Sequence, residues 1–267
     1  MTCDEIARVA SRQALRSAVS SASSSPDAEL QALGCGAFAD PPRVRLRWFV
    51  ERIAAREPFT FTRWGDSEWL ATLGAGGGDP QQDFLPEMCT AIREVLLSRP
   101  SYRLGMQPYA MRQHGELIKP FVDQHALGDL DWIWADVFHH ANVRGHLTRF
   151  AKELRGAPLI FVGPAHLRPV SDALDARAFV ETPSHNAYLE FDRVRRETML
   201  ALEAAPPSTF VSVSLGIAAN ILIHQLHERF PGHMLCDTGS IWDVHVGIKS
   251  RGYMRDLEVP PIPALEL

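Results

Sequence analysis

From Leu159 to Cys236 the chain alternates between short apolar runs and amphipathic segments, and this alternation limits the fold more than any other feature. Leu159–Val162 is continuously apolar, and Ala178–Glu181, Phe210–Ser214 and Met234–Cys236 are further strand-like runs. Between them lie helical patterns: one around Val170–Leu174, and one from a Ser184 or Asn186 cap to about Ala204. A third runs from Gly216 to Arg229, with Ile217, Ile221, Leu222 and Leu226 on one face. Strands that alternate with helices pair in parallel, because each helix returns the chain across the sheet. The expected class is therefore α/β, a Rossmann-like open, mostly parallel sheet flanked by helices.

The first half is less regular. Pro41 and Pro42 suit a first helical turn, and Val44, Trp48, Phe49, Ile53 and Ala54 then recur at helical spacing until Pro58. Phe59–Trp64 reads as a strand, and Pro86–Leu97 as a helix with Met88, Ile92, Val95 and Leu96 inward. Tyr102–Gly105 reads as a short strand, and Asn142–Leu154 as a helix closed by Gly156 and Pro158. Periodicity leaves Trp132–Ala135 open between a strand and the start of a buried helix. Residues 1–40 are expected to form an N-terminal appendage, helical over 4–20 and broken at the Ser-rich stretch Ser20–Pro26. Residues 41–267 are expected to form one domain, which 267 residues in all allow.

Composition narrows the function classes. The net charge of −5 provides no global basic field for nucleic acid. The four cysteines, Cys3, Cys35, Cys89 and Cys236, lack C-x-x-C spacing, which argues against a structural zinc site or a disulfide framework and fits a cytoplasmic protein. No run of about 18 apolar residues occurs, so no membrane-spanning helix is expected, although peripheral contact stays open. The eleven histidines include the groups His139-His140 with His146 and His224 with His227, but none has metalloprotease spacing. The loop Gly74–Pro80, with four glycines, is no Walker loop, because no Gly-Lys-Ser/Thr follows. It reads as a mobile flap or, equally, as a plain connection.

Chemistry concentrates at Arg63-Trp64-Gly65-Asp66-Ser67-Glu68. The strand Phe59–Trp64 breaks at Gly65 into an expected turn carrying two carboxylates, Asp66 and Glu68. In a turn both can bend toward one hard divalent cation, Mn²⁺ or Mg²⁺; two solvated turn acids are the alternative. Gly163, Ser214-Leu215-Gly216 and Asp237 also fall just after expected strands. If those strands are parallel, the turns share the rim at which open α/β sheets bind ligands. Gly216 opens a helix after a strand, as a phosphate-facing turn would, although a tight structural turn also fits.

Arg63–Glu68 resembles the R-[FYW]-G-D-G-E signature of the GT-D glycosyltransferases, a family first catalogued as a domain of unknown function. Cys236-Asp237-Thr238-Gly239-Ser240-Ile241-Trp242-Asp243 is similar to that family's C-terminal D-x-G-x-x-x-D element. Turns at Phe161–Pro164, Thr182–Ala187 and Ser214–Ala219 have comparable composition, so the resemblance spans about residues 45 to 255. It implies a GT-D-type fold and a hexosyltransferase using a nucleotide-activated sugar, by preference a UDP-sugar. It further implies that Asp66 and Glu68 hold the metal on the sugar-nucleotide diphosphate. The chain departs at Ser67, where the family has glycine; a position requiring positive φ would strain serine.

Further roles follow from that resemblance and from charge. Arg63 would bind phosphate or orient Asp66, and Lys249 and Arg251 would supply cations to the diphosphate. Gly65, Gly163, Ser214 and Gly216 would line the donor. Asp237, Asp243 and Glu68 are the candidates for a base on the acceptor, with Asp243 alternatively on a sugar hydroxyl. His185 and His245 adjoin the resembling segments and could reach phosphate. Trp64, Trp69 and Trp242 offer stacking faces or, more commonly for such residues, core. The acceptor would be a glycan, a glycoprotein or a small molecule, and the chain could be a homo-oligomer. Two other classes remain: a metal-dependent phosphohydrolase or nucleotidyltransferase, and a degenerate transferase domain kept as a scaffold.

Overall fold

The computed structural model describes residues 43–78 and 81–258. The expected appendage over residues 1–40 lies outside the described residues, as do Asp79 and Pro80 of the glycine-rich loop. The elements in chain order are α1 (Leu46–Ala55), β1 (Phe59–Trp64), α2 (Asp66–Thr72), α3 (Pro86–Leu97), β2 (Arg103–Met106) and α4 (Pro108–Gln124). They continue with β3 (Trp132–Trp134), α5 (Val137–Val143), α6 (Leu147–Arg155), β4 (Leu159–Pro164), α7 (Arg168–Ala173) and β5 (Ala178–Thr182). The last are α8 (Phe191–Glu203), β6 (Phe210–Val213), α9 (Ala218–Arg229) and β7 (Met234–Asp237). The seven strands form a parallel sheet in the order β3-β2-β1-β7-β6-β4-β5, flanked by helices. This is the expected α/β class, parallel throughout.

The chain divides into two compact units. The larger comprises 43–62 and the described residues from 136 on. Its apolar centre is aromatic: Phe49 meets Phe59, Phe61 and Phe138 at centroid distances of 5.7, 5.2 and 5.0 Å. Phe150 stacks on Trp242 at 5.9 Å. Helix α6 buries Leu147, Phe150, Ala151 and Leu154, which fall at the helical spacing i, i+3, i+4, i+7. Strands β4 and β6 are buried along nearly their whole length, so their sequences are continuously apolar rather than alternating.

The smaller unit covers 63–135. Its core is built on tryptophan: Trp69 stacks on Trp132 at 5.9 Å and lies 5.6 Å from Trp64. Helices α3 and α4 both begin with proline at the first turn, where the missing N–H is no loss and the fixed φ suits a helix. Helix α4, with Pro120 in its interior, was not anticipated from the sequence. The segment expected as one helix over Asn142–Leu154 is two, α5 and α6, separated where Gly145 takes a φ of 66°. The open reading at Trp132–Ala135 resolves as strand β3, paired through Leu104, Gly105 and Met106.

Candidate functional site

The first group of site residues sits where β1 passes into α2. Gly65 is the N-cap of α2, and the helix starts at Asp66, so the acids occupy its first turn rather than an open turn. In a helix, residues two apart point roughly 200° from one another. Glu68 accordingly turns back: its Oε2 accepts the Gly65 N–H at 2.9 Å, the carboxylate half of a capping box. The two acids also favour the helix N-terminus electrostatically. Gly65 is glycine for a steric reason, since a Cβ there would lie 2.8 Å from Glu68 Oε2 and 3.3 Å from the Gln107 side chain. Its φ of −94° is ordinary. Ser67 lies within α2 and outside the residues of positive φ, so serine in place of the family's glycine carries no strain.

Asp66, Ser67 and Glu68 are half-buried, and so is Arg63, whose Nε is itself shielded from solvent. The Gln107 N–H donates to the Trp64 carbonyl at 3.0 Å, tying the end of β2 to the end of β1 beside the acids. Sequence reading missed His114 on α4. Burial lowers its pKa, and the Asp66 carboxylate partly offsets that, which puts the ring within electrostatic reach of the acid. Among the described residues, buried His114 Nδ1 has no hydrogen-bond partner. No motif points to it, because its relation to Asp66 exists only in the fold.

Among the described residues no group of three or more His, Cys, Asp or Glu side chains gathers as a metal cage. Asp66 with Glu68 nevertheless suits a hard cation of the kind that nucleotides carry. Such ions take one or two protein carboxylates and complete their shell with phosphate oxygens and water.

The second group belongs to the larger unit. Asp237 ends β7 and is buried at 3% exposure. Ser214, just past β6, donates to the Gly239 carbonyl at 2.6 Å, and Thr238 Oγ1 donates to the Val213 carbonyl at 3.1 Å. These bonds lace the turns after β6 and β7 together. Gly163 packs closely: a Cβ there would lie 3.2 Å from Leu167 Cδ1 and 3.3 Å from Ser214 Cβ. Gly216 has a φ of 59°, and α9 begins two residues later, at Ala218. Lys249 is exposed and donates to the Arg255 carbonyl at 2.6 Å; Arg251 is exposed and reaches Ser240 Oγ at 3.4 Å.

Asp243 is 6% exposed and opens a 3₁₀ turn, Asp243–Val246. Both of its carboxylate oxygens are engaged. Oδ2 accepts the Ser250 hydroxyl, and Oδ1 meets His166 Nε2 at 3.1 Å. His166, in the 3₁₀ turn Ala165–Leu167 after β4, also escaped sequence reading, as its acid is 77 residues away. His185 hydrogen-bonds Ser184 Oγ at 3.1 Å, and His245 is buried. Trp64, Trp69 and Trp242 are fully buried, so they serve the core rather than a sugar face. Ser184 and Asn186 make no side-chain cap; a 3₁₀ turn over Ala187–Glu190 leads into α8 instead.

No family model matches the sequence, and no curated protein matches it. Solved structures do. One, reported as showing that the highly conserved domain of unknown function 1792 has a distinct glycosyltransferase fold, superposes with a TM-score of 0.57. It is 17% identical and covers 88% of this chain and 95% of its own. Another, reported as a new glycosyltransferase of that domain from Streptococcus sanguinis, gives a TM-score of 0.56 at 16% identity, covering 82% of this chain and 93% of its own. A selenomethionine form of the same domain gives 0.57 at 17%. Superposition over most of both chains at these TM-scores shows the fold: this chain has the glycosyltransferase fold described for domain of unknown function 1792.

Proposed function

We propose that the protein is a metal-dependent glycosyltransferase of GT-D type that takes its sugar from a nucleoside-diphosphate donor, by preference a UDP-sugar. The observation that carries this reading is the Arg63–Glu68 signature, with its arginine and both acids retained, at the junction of β1 and α2, in a chain with that fold. Bond cleavage at the anomeric carbon leaves extra negative charge on the diphosphate, and a bound divalent cation stabilises that charge as it develops. Asp66 is the carboxylate for Mn²⁺ or Mg²⁺. Glu68, which holds Gly65 and the start of α2 in place, would be the second carboxylate for that cation. Arg63, beside the acids, fixes Asp66 or a phosphate. The acceptor is a glycan, a glycoprotein or a small molecule.

A panel of UDP- and GDP-sugars with Mn²⁺ tests the reading through release of the nucleoside diphosphate. Release from one donor, abolished by chelation and cut at least about 100-fold by Asp66→Asn, is the expected result. Equal release with and without metal, or from free nucleotides alone, favours a nucleotide-processing enzyme instead.

A further inference from the structure

We propose that His114 is a positioning residue of the cation site, where its imidazole holds the Asp66 carboxylate in the orientation that takes Mn²⁺ or Mg²⁺. The inference rests on the metal-dependent reading above and deepens it by naming what steadies the principal ligand. Every residue it uses belongs to the smaller unit, 63–135. Among the described residues no three His, Cys, Asp or Glu side chains gather as a metal cage, so His114 acts through Asp66 rather than as a third ligand.

The fold brings the ring to the acid. Helices α2 and α4 begin side by side, because Gln107, the N-cap of α4, donates its N–H at 3.0 Å to the carbonyl of Trp64, which precedes the α2 N-cap Gly65. Further along the two helices pack on each other, with Trp69 of α2 and Phe121 of α4 edge to face at 6.5 Å. Asp66 lies three residues before Trp69 and His114 seven before Phe121, so each sits on the N-terminal side of that contact. Residues seven apart share a helix face, which turns His114 toward α2 as it does Phe121. Helical side chains also lean toward the N-terminus of their helix, here toward Asp66.

Packing alone does not account for a histidine at this position. His114 follows Met111 by three residues and precedes Ile118 by four, on the stripe of α4 that buries Met111, Ile118 and Phe121. A polar side chain on an apolar stripe costs stability unless its nitrogens are paired. Among the described residues, His114 Nδ1 is shielded from solvent and has no hydrogen-bond partner. Burial lowers the pKa of the ring, and the Asp66 carboxylate opposes that, so this acid is the charge that the ring feels. A neutral imidazole carries one N–H, and a carboxylate accepts it. Carboxylates that bind metal are themselves held by hydrogen bonds, and loss of such a partner weakens metal binding.

Mn²⁺ alone, titrated into the full chain and followed by the electron paramagnetic resonance of the free ion, tests the assignment. Wild type should bind it, and Asp66→Asn should not. His114→Leu, which suits the apolar stripe, should weaken Mn²⁺ binding about 10- to 100-fold with Tm unchanged or raised. His114→Asn or His114→Gln, which keep an N–H donor near one ring nitrogen or the other, should recover part of that loss. Mn²⁺ affinity of His114→Leu within about threefold of wild type overturns the proposal. So does failure of both amide variants to recover any binding. A loss of affinity that tracks a fall in Tm across all three variants also overturns it, because it assigns His114 to structure alone. A wild-type protein that takes up no Mn²⁺, or binds it no better than Asp66→Asn, overturns the cation site itself, an outcome separate from these.

Discussion

Glu68 has two tasks that compete for one carboxylate: it caps α2 through the Gly65 N–H, and it adjoins the acid proposed to bind metal. The cap explains why residue 65 has no side chain. Gly65→Ala places a methyl 2.8 Å from Glu68 Oε2, so the cap must break or the helix must shift. The Glu68 carboxylate can swing aside, so the expected cost is that of a lost cap, about 0.5–2 kcal/mol in urea unfolding. Unchanged stability would mean that the Gly65–Glu68 bond is not held in solution. At this scale Asp66, Glu68, Asp237 and Asp243 were legible in the sequence because acids next to glycine after a strand form local patterns. His114 and His166 were not, because each acquires meaning only from an acid brought to it by the fold.

Elements were most legible where proline or glycine marks their ends. Pro58 and Pro86 bracket β1 and α3, and both boundaries fall where the sequence placed them. Pro120 inside α4 works the other way, since an interior proline argues against a helix that packing of Ile118, Phe121 and Val122 nonetheless holds. The start of α2 at Asp66 was hidden for a related reason: Gly65 reads as a chain break, and only the returning Glu68 side chain makes it a cap. Between elements, Phe49 of α1 is fully buried against the rings of Phe59, Phe61 and Phe138. Phe49→Ala should destabilise the protein by about 3–5 kcal/mol, read as a lower urea midpoint at unchanged m-value. A loss below about 1 kcal/mol would contradict this packing.

At the scale of the whole molecule, buried histidines contribute to the response to acid near neutral pH. Burial holds His114, His139, His224, His227 and His233 below the usual value of 6.5. The folded chain therefore binds fewer protons than the unfolded chain near that pH, and stability rises with pH through the window. Thermal unfolding should show a plateau above about pH 7.5 and a falling Tm below about pH 6.5, where the unfolded histidines protonate. A Tm that climbs on acidification from pH 7.5 to 5.5 would reverse the sign and contradict the burial of these rings. The fold class was legible at this scale because buried parallel strands are continuously apolar. The central claim is that Asp66 carries a divalent cation for a nucleoside diphosphate. Calorimetric titration of UDP, with and without Mn²⁺, into wild type and Asp66→Asn tests it most directly. The account predicts Mn²⁺-dependent binding to wild type and its loss in a variant of unchanged Tm; equal binding by both proteins, or binding indifferent to Mn²⁺, would contradict it.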